Sequence, residues 1–80
     1  MVKSIDEIND MLKYEMESVF YKEYSLETEQ YIVSIFNKLN DKIKPQTIAL
    51  QDIKYIKPAL KVEYLVDNKH FTLIVDVKRG

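Results

Sequence analysis

Apolar residues fall at Ile5, Ile8, Leu12, Met16, Val19 and Phe20 in the first quarter of the chain. At 100° per residue these positions share an arc about 120° wide, the stripe of a helix lying on a core. Ser4 and Glu7 stand before it in the layout of a capping box, so a first helix is expected from Ser4 to about Glu23. Ser25 offers a second cap, and Glu27 follows where a negative charge suits the helix dipole. Ile32, Ile35, Phe36, Leu39 and Ile43 form the second stripe, and the residue before Pro45 disfavours the α region. A helix from Ser25 to about Ile43 follows, joined to the first by a short connection and folded against it as an antiparallel hairpin.

Beyond Pro45 the period changes to two. Leu60, Val62, Tyr64 and Val66 alternate with Ala59, Lys61, Glu63 and Leu65; Phe71, Leu73, Val75 and Val77 alternate with His70, Thr72, Ile74 and Asp76. The polar turn Asp67-Asn68-Lys69 between them makes a β-hairpin. With Asn68-Lys69 as the two-residue loop, Val66 faces Phe71, Tyr64 faces Leu73, and Lys61 meets Asp76 as an opposite-charge pair. Residues 47–57 alternate in one phase through Ile48 and Leu50 and in the other through Ile53 and Tyr55. A bulge near Gln51-Asp52 reconciles the two as a third strand, with a short helix from Pro45 as the competing reading. The fold class is therefore α+β: one domain over residues 1–80, a helical hairpin on a small antiparallel sheet in the order ααβββ.

Composition narrows what such a domain can do. Eighty residues leave room for one core, and the absence of cysteine removes disulfides and thiolate metal sites. The polar start MVKSIDEIND is unlike a signal peptide and no apolar run reaches membrane-spanning length, so a cytoplasmic location is expected. The sole glycine is Gly80, which excludes glycine-rich phosphate cradles. His70 is the only histidine. In the expected register it sits beside the turn opposite Asp67, where water is not excluded and no thiol nucleophile is at hand. Neither catalysis, a metal nor a cofactor is expected.

Charge is split along the chain. Residues 1–30 carry a net −5 and residues 31–80 a net +4, an asymmetry that can mark a charged partner or simply an acidic solvated helix pair. Directly opposite the first apolar stripe lie Asp10, Tyr14, Glu17 and Tyr21, two tyrosines a heptad apart among carboxylates. Tyrosine offers large contact area at small entropic cost, and acidic neighbours steer basic partners. Covered rings or scattered surface aromatics are the plainer account. The leading reading is a non-catalytic module that binds a protein with a basic surface through these four residues. An inhibitor or regulator of a nucleic-acid-handling protein fits that charge. The rival is a nucleic-acid surface of Lys54, Lys57 and Lys61, extended by Lys69, Lys78 and Arg79 with Tyr55 as a stacking ring. Glu63 and Asp76 interrupt it, and a pI near 5.8 lies far below the usual basic footprint. A homodimer or structural assembly through Tyr14, Tyr21, Leu65 or Ile74 is the third possibility.

Overall fold

The computed structural model describes residues 3–77, apart from the side chains of Phe20 and Tyr21. Helix α1 spans Ile5–Met16 and passes into a 3-10 turn, Glu17–Tyr21; helix α2 spans Leu26–Lys42. Strands β1 (Ile48–Ile56), β2 (Ala59–Val66) and β3 (Lys69–Asp76) form one antiparallel sheet in the order β1-β2-β3. The expected ααβββ architecture is the observed one.

Both helices begin as their sequences dictate. The Ser4 hydroxyl accepts from the Glu7 N–H at 3.1 Å, and the Ser25 hydroxyl from the Thr28 N–H at 3.2 Å. Each satisfies an N–H that has no partner within the helix. Helix α1 stops earlier than its apolar stripe implies. The Ser18 hydroxyl bonds back to the Glu15 carbonyl at 3.0 Å, and the serine and β-branched valine that follow Met16 favour an α-helix less than the residues before them. The chain tightens there into the 3-10 turn, and Val19 stays fully buried.

The apolar stripes meet the inner face of the sheet. Ile8, Leu12, Ile32, Leu39, Leu60, Val62 and Val66 are fully buried, each worth about 1.5–3 kcal/mol relative to exposure. Tyr64 at the centre of β2 packs edge-on to Phe36 and stacks on Phe71 at 5.8 Å. Helix α2 packs on β1, and the 3-10 turn on β3. The molecule measures 42 × 19 × 18 Å, thick enough for one helical layer on one sheet. No described element covers the sheet's other face, where Ile74 is 60% exposed.

Strand β1 carries the expected bulge: Leu50 pairs with Tyr64 and Asp52 with Glu63, leaving Gln51 as the extra residue. The β2–β3 hairpin corrects the expected register. Asp67 and Asn68, both at positive φ, form the two-residue turn; Val66 pairs with Lys69 and Tyr64 with Phe71. Aspartate and asparagine tolerate this left-handed pair, which gives the turn the twist of the strands. The slip is two residues, so every side chain keeps its expected face while its partner changes. Lys61 lies opposite Ile74, not Asp76, and His70 opposite Leu65, not Asp67.

One end of the sheet is tied by a polar cluster. The Gln46 amide group accepts from the Lys3 N–H at 2.8 Å and donates to the Lys3 carbonyl at 2.6 Å. Asp67 accepts from the Thr47 N–H at 3.1 Å and from Gln46 at 3.2 Å. Chain entry, the α2–β1 connection and the hairpin turn are thereby joined.

Candidate functional site

Helix α1 turns Ile8, Leu12 and Met16 inward, so Asp6, Glu7, Asp10, Lys13, Tyr14 and Glu17 are left to solvent. Tyr14 is 74% exposed. It walls a groove of about 380 Å³ between α1 and α2, lined also by Asp10, Met11, Glu15, Leu39 and Lys42. The groove therefore combines apolar Met11 and Leu39 with the Tyr14 phenol, the carboxylates of Asp10 and Glu15, and the Lys42 ammonium.

Asp10 is exposed on α1, and Glu17 is exposed at its C-terminal boundary. Among the described residues no cation pairs with Asp6, Glu7, Asp10 or Glu17, whereas Glu15 lies 3.9 Å from Lys38. Tyr21 closes the 3-10 turn and its side chain lies outside the described residues. The heptad relation of Tyr14 to Tyr21 presumed one continuous α-helix; the end of α1 at Met16 removes that premise.

The lysines of the rival surface are placed differently from their expected grouping. Lys54 and Lys61 face each other across β1 and β2. Lys54 lies 3.8 Å from Asp52, and Lys61 3.5 Å from Glu63. Lys57 lies in the β1–β2 turn, and Lys78 and Arg79 lie outside the described residues. Tyr55 alternates with Lys54, so it occupies the opposite face of the strand, where it stacks on Tyr24 at 4.2 Å and 7°. It is not the ring beside those lysines that a base would stack on. Each central lysine is answered by a carboxylate two residues away on its own strand.

Two features escape a reading of the sequence alone. One is the Tyr24–Tyr55 stack, which depends on where the connection after the 3-10 turn crosses the sheet. The other is a trough along β3. Asp6, Asn9, Asp10 and Lys13 of α1 line one stretch of it with Phe71, Thr72 and Leu73. Lys13, Met16 and Glu17 line the next with Leu73, Ile74, Val75 and Asp76. Lys13 and Leu73 belong to both stretches, which measure about 350 and 420 Å³. No helix among the described residues is long and apolar enough to cross a membrane. Comparison with family models, with curated proteins and with solved structures finds no match to this chain.

Proposed function

We propose that this chain is a small non-catalytic protein-binding module that uses the acidic, tyrosine-bearing face of α1 to hold a partner with a basic surface. The observation that carries the reading is Tyr14, 74% exposed between Asp10 and Glu17, neither of which pairs with a cation among the described residues. A ring so placed adds nothing to the core. In an interface a tyrosine can be a hot spot worth about 2 kcal/mol or more on truncation. Unpaired carboxylates around it raise the association rate with a cationic partner. A basic nucleic-acid-binding groove is one such complement, and occupying it makes the module an inhibitor or regulator of a nucleic-acid-handling protein.

Direct binding of nucleic acid by Lys54, Lys57 and Lys61 is the weaker reading, because Asp52 and Glu63 neutralise the two central lysines locally. Affinity capture from the native host with the unmodified chain, Tyr14→Ala and Asp10→Lys separates the readings. The reading requires a captured protein with a basic surface that both variants lose and that high salt releases. Retention of the same protein by both variants refutes it.

A further inference from the structure

We infer that the open edge of β3, together with the side of α1 above it, accepts an extended segment of the partner whose residues alternate between basic and β-branched. This rests on the protein-binding reading and specifies how the partner is held. The backbone comes first. The two-residue turn makes Val66 and Lys69 a hydrogen-bonded pair, so in β3 Phe71, Leu73 and Val75 also bond inward to β2. The Val77 N–H, bonded to the Pro58 carbonyl at 3.2 Å, continues the same alternation. His70, Thr72, Ile74 and Asp76 consequently aim their N–H and C=O groups at the open edge.

The two edges of the sheet are not equivalent. Strand β1 is bulged at Gln51, has Pro58 just beyond its end, and meets Tyr24 through Tyr55; bulges and prolines are devices that blunt an edge. Strand β3 is an unbroken run of eight residues with Thr72-Leu73-Ile74-Val75 at its centre and no bulge in its pairing. An unprotected edge of that kind is a template for strand addition.

Charge decides the occupant. Beside the edge, α1 sets Asp6 and Asp10, and the 3-10 turn Glu17, along the trough, with Lys13 as the one cation among the described residues lining it. A lysine on the inner side of an added strand would lay its stem on Leu73 and Met16 and reach these carboxylates. The next residue, on the outer side, would meet Thr72 and Ile74, where a β-branched side chain packs well. A second copy suits the site less. Helix α1 and β3 run the same way, since Lys3 adjoins the hairpin turn through Gln46 and Asp67 while Glu17 lies beside Asp76. Antiparallel pairing of two β3 strands would set the two acidic flanks of α1 against each other on one face of the sheet.

The test uses the full chain labelled for amide exchange and a peptide alternating lysine and valine over the length of β3. Binding is expected, with the amides of His70, Thr72, Ile74 and Asp76 exchanging fast in the free protein and protected in the complex. Thr72→Pro removes one outward donor and no bond to β2, and is expected to weaken binding about tenfold or more. Asp10→Lys, at an exposed helix position, provides an independent loss of similar size. Gln51→Ala, at the bulge of β1 on the opposite edge of the sheet, leaves peptide binding unchanged. No binding, binding that leaves those four amides unprotected, or equal binding of a glutamate–valine peptide overturns the inference. So does a free protein that sediments as a dimer with the four amides already protected. In each of these cases the Tyr14-dependent capture can still succeed, so the two ideas fail separately.

Discussion

The Tyr64 phenol on β2 donates a 2.6 Å hydrogen bond to the side-chain carbonyl of Asn9 on α1. The ring itself is 3% exposed and touches Phe36 and Phe71. One residue thus joins the sheet to the first helix by a polar bond at its tip and by aromatic packing along its body. Tyr64→Phe keeps the packing and removes the bond, leaving Asn9 without its partner. A loss of about 1 kcal/mol is expected in urea unfolding, with an unchanged dependence on denaturant.

Burial also raises the Tyr64 phenol above its ordinary pKa. The folded state therefore holds this proton more tightly than the unfolded chain. Stability from the group is fully present below pH about 10 and is lost as pH rises through the folded value. Tyr24 acts in the same direction, raised chiefly by its hydrogen bond to Glu29. Unfolding followed across the alkaline range should show a decline that is smaller in Tyr64→Phe than in the unmodified chain. An identical decline in both would remove Tyr64 as its source.

Most of the architecture is legible in the chain because periodicity and caps act locally. Ser4, Ser25 and the two apolar stripes locate the helices, and the phase change between Leu50 and Ile53 locates the bulge. What resists reading depends on competition between alternatives that local rules score alike. Asn68-Lys69 and Asp67-Asn68 both make acceptable turns, and the choice follows from Asp67 also receiving Thr47 and Gln46. The Lys61–Asp76 pairing that favoured the wrong register is replaced by Lys61–Glu63 within one strand. At the site, exposure of Tyr14 follows from the stripe, whereas the trough needs the position of α1 over the β3 edge, a tertiary fact.

The Tyr24–Tyr55 stack is the described contact fastening the connection between the helices to β1 by aromatic packing. Its rings are parallel at 4.2 Å, and both residues remain a little over one-third exposed. A double-mutant cycle with Tyr24→Ala and Tyr55→Ala is expected to give a coupling near the lower end of the usual aromatic range, about 0.5 kcal/mol. Zero coupling would mean that the two rings stabilise the fold independently.

At the hairpin turn, Asp67 holds φ at 48° and Asn68 at 71°. Asp67→Ala combines a side chain that disfavours this region with the loss of the acceptor for the Thr47 N–H. A destabilisation of about 2 kcal/mol is expected. Asn68→Gly, which frees the backbone where positive φ is already required, should be neutral or slightly stabilising. Thermal unfolding of the two variants should therefore move in clearly different amounts, and equal losses would contradict the turn geometry.

Gln51 provides the sharpest test of the sheet, because it can be deleted. Leu50 already pairs with Tyr64 and Asp52 with Glu63. Removing Gln51 closes the ladder without moving Ile48, Leu50, Ile53 or Tyr55 to another face. The strand loses its local bend, so a change within about 1 kcal/mol is expected and the fold persists. Deleting Ala49 instead gives no such escape. To keep Ile48 inward, the chain must straighten the bulge, which carries Leu50 to the bare face and Gln51 toward the helices. Leu50 is partly buried, so exposing it costs less than the roughly 1.5–3 kcal/mol of a fully buried leucine, and Gln51 adds an amide turned toward α2 without a partner, at about 1–3 kcal/mol. Chemical denaturation should separate the two deletions by about 1 kcal/mol or more. Equal stability would show that β1 does not hold its register through the bulge.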